Sequence, residues 1–139
     1  MSTVHCLAAG ALALVTAAGP AATVRFEVTG FDNTKGRARC GLFVEKGWGE
    51  EGKNVSGVDA EIVDGKAVCT FPEVKPGRYG AIVYHDKNGN EKMDRNFLGI
   101  PSESYCFSQN AQGGMGVPKF AAASFAVSES GDTVTKCKL

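Results

Sequence analysis

Short runs in which apolar and polar residues alternate with a period of two constrain the fold more than any other feature of this chain. The run 23–29 places Val24, Phe26 and Val28 on one side of an extended segment. The run 38–44 repeats the pattern around Leu42. Because successive side chains of a β-strand point to opposite faces, each run predicts a strand with one buried face.

Glycine and proline clusters separate the runs and predict the turns. Asp64-Gly65 stands between the runs 60–63 and 66–71, which is the signature of a β-hairpin. Pro76-Gly77 precedes the apolar run 79–84. Proline presets φ and glycine accepts a positive φ, so this pair predicts a tight turn into a strand.

Two further runs, 121–127 and 133–139, predict a final pair of strands at the end of the sequence. The chain of 139 residues, 43% of them hydrophobic, suits a single domain with one core. About seven short strands linked by Gly and Pro turns, with no helical periodicity after residue 22, predict an all-β fold. We expect an antiparallel β-sandwich.

The charge distribution excludes two classes of partner. The formal net charge is zero, and the 15 Lys and Arg residues are scattered along the chain. Binding to nucleic acid or to an anionic membrane surface requires a basic patch. We therefore expect neither partner.

The first 22 residues differ from the rest and resemble a secretory signal peptide. Residues 7–18 are almost wholly Ala, Leu, Val and Gly, and small residues follow. The segment is too short to remain as a membrane span. Its start is atypical, since it lacks Lys and Arg. We predict a signal peptide at 1–22, a single β-sandwich domain at 23–139 and a periplasmic or extracellular location.

Removal of this segment leaves four cysteines, Cys40, Cys69, Cys106 and Cys137. An even number in an exported chain predicts two disulfides, although four cysteines allow three connectivities. The alternative is four buried free thiols. A zinc site is not indicated, because no C-x-x-C pair is present.

The stretch 85–94 is the strongest candidate for a functional site. It follows an apolar strand and sets oxygen-bearing side chains at Asp86, Asn88, Asn90 and Asp94, which are loop positions one, three, five and nine. Short loops with oxygens at alternate positions can fold around Ca²⁺. The pattern predicts a possible calcium-stabilised loop, with no other cofactor required.

Two residues exclude an EF-hand version of this loop. Position six is Glu91, where an EF-hand has Gly, and position twelve is Phe97, where an EF-hand has a bidentate Glu. A cation would need a ligand from elsewhere, and Glu103 or Asp32 is the candidate. The alternative is an Asn88-Gly89 turn in which Asp and Asn side chains accept bonds from backbone amides.

His85 raises the question of catalysis, with Tyr105 and Ser108 as further candidate residues of the functional loops. A small hydrolase could use His85 with Asp86 or Glu103. Adjacent strand residues point to opposite faces, however, which hinders Asp86 from orienting His85. The simpler interpretation is a histidine at a strand end whose ring bonds a loop carbonyl.

Several motifs carry a family resemblance: Pro76-Gly77-Arg78-Tyr79, His-Asp-Lys-Asn-Gly-Asn at 85–90, Asn-Phe-Leu-Gly-Ile-Pro-Ser-Glu at 96–103, and Phe107-Ser108. In these motifs the chain resembles domain of unknown function 2141, a family of exported bacterial proteins. The resemblance implies a prealbumin-like β-sandwich of unassigned activity. The Pro-Gly-x-Tyr turn is also similar to collagen-adhesin B-type repeats.

The chain departs from the family pattern at two positions. Glu91 stands where the family has Gly after the second Asn, which argues against a tight metal-loop geometry. Cys106 stands where the family has Gly before Phe-Ser. This second departure implies a local disulfide, with Cys137 in the last strand as the partner.

Together these features favour an exported, non-enzymatic binding or accessory module in the periplasm or at the cell surface. Loops at one end of a rigid sandwich are the usual place for recognition, so we expect the loops of 86–103 to be the functional end. The partner would be an envelope protein, a peptide or a glycan. The alternative is the small periplasmic hydrolase.

Overall fold

The computed structural model describes residues 22–93, 103–114 and 116–139, which form two packed β-sheets. The strands are β1 Ala22–Thr29, β2 Arg37–Phe43, β3 Ser56–Ala60, β4 Lys66–Val74, β5 Gly77–Asp86, β6 Tyr105–Phe107, β7 Phe125–Val127 and β8 Asp132–Lys138. Helix is confined to a 3-10 turn at Ser108–Asn110 and to α1 at Phe120–Ala123 within these ranges. The predicted all-β sandwich is confirmed.

The sheets differ in size and in strand direction. One sheet has the order β4-β1-β8, and the other has the order β3-β2-β5-β6 with β7 also paired to β5. Most pairs are antiparallel, but β1 and β8 run parallel, with Phe26 opposite Thr135. The predicted pairing of the last two runs is wrong, because Tyr79 of β5 lies opposite Phe125 of β7 and β8 lies in the other sheet.

The Asp64-Gly65 turn forms but does not join a hairpin within one sheet. Both residues have positive φ, 51° and 74°, and Val63 and Lys66 exchange backbone bonds of 2.8 and 3.0 Å. Beyond this bridge the strands diverge, because β3 pairs with β2 and β4 pairs with β1. The turn therefore carries the chain from the larger sheet to the smaller one.

The core lies between the sheets and follows the predicted alternation. The side chains at the centre of the core are at most 1% exposed: Val24, Phe26, Val28, Leu42 and Phe71. Burying each such side chain, instead of leaving it exposed to water, stabilises the folded state by about 1.5–3 kcal/mol. The apolar residues of each alternating run therefore form the buried face of its strand.

Two disulfides join the sheets across this core. Cys40 of β2 bonds Cys69 of β4, with 6.4 Å between their Cα atoms. Cys106 of β6 bonds Cys137 of β8, with 5.9 Å between their Cα atoms. Both separations are ordinary for disulfides. The two predicted bridges are confirmed, including the Cys106 to Cys137 pairing that the family departure implies.

The predicted signal peptide lies outside the described residues, apart from Ala22, which begins β1. Over the ranges that the structure describes, no helix has the length and apolar character needed to cross a membrane.

The outer surface of the larger sheet is covered by an aromatic layer. Trp48, in the loop after β2, donates its indole N–H to the Pro118 carbonyl oxygen at 2.7 Å. Its ring meets Phe43 and Phe120 edge to face, each with centroids 5.7 Å apart. Phe107 of β6 packs against the same ring. This layer ties the loop after β2 and the segment that contains Pro118 and Phe120 to the larger sheet.

Candidate functional site

The last two residues of β5 are both buried but face opposite ways. His85 is 1% exposed and Asp86 is fully buried. The strand continues through Asp86, so the two side chains project to different faces of the sheet. Asp86 is therefore not placed to orient the His85 ring.

His85 is held by backbone and aromatic contacts. Its Nε2 lies 2.6 Å from the Lys35 carbonyl oxygen, to which it donates. The ring meets Phe31 edge to face, with centroids 5.2 Å apart. Both partners belong to the loop between β1 and β2. The imidazole thus fastens that loop to the end of β5.

Asp86 is held by a buried ion pair with Arg39. Its Oδ2 accepts the Arg39 Nε–H at 2.5 Å, and the same guanidinium contacts Asp59 at 2.7 Å and Glu91 at 3.6 Å. The Arg39 side chain is 16% exposed. The hydrogen bond to Asp86 raises the pKa of Arg39, so the guanidinium stays charged. The pair fixes the start of the loop.

Side-chain to backbone bonds shape the loop after β5. Asn88 Oδ1 accepts the Asn90 amide at 3.2 Å, and Asn90 Oδ1 accepts the Lys92 amide at 3.0 Å. Asp86 Oδ2 accepts the Glu91 amide at 2.9 Å. These are the bonds expected of the Asn88-Gly89 turn alternative.

Glu91 does not prevent the tight turn, contrary to the expectation drawn from the family pattern. It takes a φ of 66°, the left-handed conformation that a glycine would adopt at this position. The Glu91 backbone N–H donates a hydrogen bond to Asp86, and the Glu91 carboxylate forms an ion pair with Arg39. These two contacts offset the cost of the left-handed conformation. The loop thus reaches the geometry of a glycine-containing turn without the glycine.

The other predicted metal ligands are placed differently. Glu103 is buried, and its Oε2 lies 3.3 Å from the Lys87 amide nitrogen, next to Asp86. Asp32 is exposed on the loop between β1 and β2. Asp94 lies outside the described residues. Within the described ranges, no three His, Cys, Asp or Glu side chains gather into a metal-binding group, so calcium binding stays a prediction.

Ser108 and Tyr105 are not brought to His85. Ser108 is fully buried, donates to the Ala123 carbonyl oxygen at 2.5 Å and accepts the Ala81 amide at 2.8 Å. Ala81 lies four residues before His85, or about 13 Å along an extended strand. Tyr105 lies opposite Tyr84 on β6, so its side chain lies on the other face of the sheet from that of His85. Ser108 thus pins β5 to α1.

Arg39 and Tyr84 are site residues that sequence reasoning missed. Both occupy outward positions of strands, and they lie opposite each other in the β2 to β5 pair. Arg39 reads from the sequence as an ordinary polar residue of an alternating run. A run of this kind shows which residues face outward, but only the register reveals that Arg39 lies diagonal to Asp86.

We expect the Tyr84 hydroxyl to titrate well above an ordinary tyrosine. Burial, and then the negative charge of Asp86, raise the pKa of Tyr84 from 10.0 to about 12. The difference in near-ultraviolet tyrosinate absorbance between the wild type and Tyr84→Phe should therefore have its midpoint near pH 12. A difference midpoint near pH 10 would contradict this environment.

The sign of the stability effect follows from the raised pKa of Tyr84. The folded state holds the phenolic proton more tightly than the unfolded chain does. This contribution to the free energy of unfolding is complete below about pH 10 and is lost as the pH rises towards about 12. In the Tyr84→Phe variant that alkaline loss should be smaller.

One protein-family model matches most of the chain. A family model described as an uncharacterized protein conserved in bacteria, DUF2141, matches residues 26–135. The chain belongs to this family. The DUF2141 match runs from Phe26 in β1 to Thr135 in β8, which lie opposite each other, so it spans the whole sandwich. No curated protein and no solved structure shows a significant match to this DUF2141 chain.

Proposed function

We propose that the protein is an exported, non-enzymatic binding or accessory module of the bacterial envelope, which recognises its ligand with the loop after β5. The two disulfides support export, because such bonds persist in oxidising compartments and are rare in the cytosol. The family match supports a bacterial source.

An exposed polar loop on a fixed base is the observation that carries the proposal. Residues 87–92 are all exposed, whereas His85 and Asp86 beneath them are buried. Gly36, with a φ of 64°, packs so closely on the Asp86 carbonyl group that a Cβ there would collide with it. A mobile, sequence-tolerant connection needs no such anchoring. Binding loops are commonly mounted on rigid scaffolds in this way.

The chemistry of the loop fits a polar ligand. Lys87 and Lys92 supply ammonium donors, Asn88 and Asn90 supply amides, and Glu91 supplies a carboxylate. Such groups pair with hydroxyl, carboxylate and peptide groups. The ligand class is therefore an envelope glycan or a peptide segment of an envelope protein.

Contacts at His85 favour binding over hydrolysis. A histidine that acts as a general base needs a ring nitrogen within reach of a nucleophile and of the substrate. Nε2 of His85 is engaged by the Lys35 carbonyl oxygen, and the ring is buried. Ser108 is engaged by a hydrogen bond from the Ala81 amide of β5 and by one to the Ala123 carbonyl oxygen of α1. Among the residues that the structure describes, His85 is therefore not placed to act as such a base at the loop.

Binding to arrays of bacterial envelope glycans and of peptides tests the proposal. We expect the wild type to bind members of one class, and we expect Lys87→Ser/Lys92→Ser to lose at least about tenfold in affinity, since each lost charge-assisted hydrogen bond is worth about 1.5–3 kcal/mol. Both lysines are exposed, so the melting temperature should hardly change.

The matched control is Lys66→Ser/Lys136→Ser, which removes the same charge from the outer face of the smaller sheet. It should bind like the wild type. Equal losses in the two variants, or no binding to either class, would remove the loop as a recognition site. Turnover of ester or peptide substrates that disappears in a folded His85→Gln variant would contradict the non-enzymatic assignment.

A further inference from the structure

One carboxylate oxygen of Asp86 has no partner in the part of the chain that the structure describes. Asp86 is fully buried, and its Oδ2 accepts hydrogen bonds from the Arg39 Nε–H and from the Glu91 backbone N–H. Its Oδ1 is also buried, yet no hydrogen bond reaches it. Buried polar atoms are nearly always satisfied, because leaving one unsatisfied forfeits its hydration. This oxygen is therefore an acceptor that a hydrogen-bond donor or a cation would satisfy.

The loop folds back over the same carboxylate. The backbone N–H of Glu91 donates a hydrogen bond to the Asp86 carboxylate, five residues earlier. The side-chain oxygens of Asn88 and Asn90 each accept a hydrogen bond from the backbone amide two residues further along. Oxygen-bearing side chains thus occur at positions one, three and five of a closed turn. An amide oxygen carries two lone pairs, so accepting a backbone amide does not prevent it from coordinating a cation.

Glu103 brings a second buried carboxylate to the base of the loop. Its Oε2 lies 3.3 Å from the amide nitrogen of Lys87, the residue that follows Asp86. Lys87 directly follows Asp86, so the Glu103 carboxylate lies at the same end of β5 as the Asp86 carboxylate.

We propose that the Asp86 and Glu103 carboxylates, with the Asn88 and Asn90 amide oxygens, bind Ca²⁺. The set consists of oxygen donors, which hard cations prefer, and a bound ion would supply the missing partner of Asp86 Oδ1. With two carboxylates instead of the larger number in sensor sites, the affinity should fall in the range of extracellular modules, about 0.1–1 mM. The site lies in the proposed recognition loop but does not depend on that loop binding a glycan or a peptide.

Titration calorimetry and thermal unfolding with CaCl₂ as the probe test the site. We expect saturable heat and, at about 10 mM Ca²⁺, a rise of about 5 °C in the melting temperature. Excess chelator should reverse the rise. MgCl₂ at the same concentration should give a smaller shift, because Mg²⁺ demands a stricter octahedral geometry.

Variants locate the binding. Asp86 is unsuitable, since its replacement also breaks the ion pair with Arg39. Glu103→Gln keeps the size of the side chain and removes its charge, and should weaken Ca²⁺ binding at least about tenfold. Asn90→Ala should weaken it as well. The matched control is Asn33→Ala, which removes an equivalent bond to the Lys35 amide, 2.9 Å long, in another loop.

The outcomes are distinct. Loss of the calcium response in Glu103→Gln and Asn90→Ala, with Asn33→Ala responding like the wild type, supports the site. No heat and no thermal shift in the folded wild type would overturn it, as would an unchanged response in both loop variants. The array experiment decides recognition separately, since it can be run with calcium or with chelator.

Discussion

Replacement of Arg39 by methionine is expected to lower the free energy of unfolding by about 3 kcal/mol, at the lower end for breaking a buried ion pair, because Arg39 is slightly exposed. Methionine keeps the apolar stem and removes the charge. The variant leaves Asp86 fully buried without its cation. Urea unfolding under oxidising conditions measures the loss.

Arg25→Met is the matched control. Arg25 lies on the outer face of the smaller sheet, 3.9 Å from Glu27, and its side chain is 45% exposed. Exposed pairs contribute little, so this change should cost less than about 1 kcal/mol. A double-mutant cycle with Asp86→Asn sharpens the test, because the Arg39→Met/Asp86→Asn protein should lose clearly less than the sum of the two single losses. Additive losses would mean that the pair does not couple.

Removal of the Cys40 to Cys69 disulfide, as Cys40→Ala/Cys69→Ala, should lower the free energy of unfolding by about 3.5 kcal/mol, the entropic value for a loop of this length. The cysteines are 29 positions apart, and the other pair is 31 positions apart. Cys106→Ala/Cys137→Ala should therefore lose a similar amount. Guanidinium unfolding of the two double variants measures both.

Reductant supplies the control for the disulfide prediction. The wild type should lose the contribution of both bridges in reductant, whereas each double variant should lose only that of its remaining bridge. A wild-type unfolding midpoint that is the same with and without reductant would contradict the prediction, because it would mean that the bridges do not constrain the unfolded chain.

The periodic pattern predicts strands well but not their neighbours. The runs around Phe26, Leu42 and Val83 become β1, β2 and β5 with the expected buried face. Alternation specifies which face of a strand is buried, and many partners can satisfy that face. The pairing of β7 with β5, and of β8 with β1, depends on contacts between distant segments that no local motif encodes.

The candidate site was predictable in part for the same reason. The Asp86 to Asn90 motif and the Asn88-Gly89 turn are written in consecutive residues, and their local bonds follow from Asx chemistry. Arg39 lies 47 positions before Asp86, and the loop carbonyl that holds His85 lies 50 positions before it. These partners depend on the register of β2 against β5. A sequence rule that expects glycine at left-handed positions also misses Glu91, because its ion pair with the distant Arg39 helps to stabilise that conformation.

The parallel pair of β1 and β8 has a consequence for the order of folding. It joins positions 26 and 135, and β1 is the central strand of its sheet. No fragment that stops before β8 can complete this sheet, so loop closure over nearly the whole domain must precede it. Topologies dominated by such distant contacts fold slowly. The smaller sheet therefore stays incomplete until the last strand has been synthesised, while the strands of the larger sheet are all available earlier.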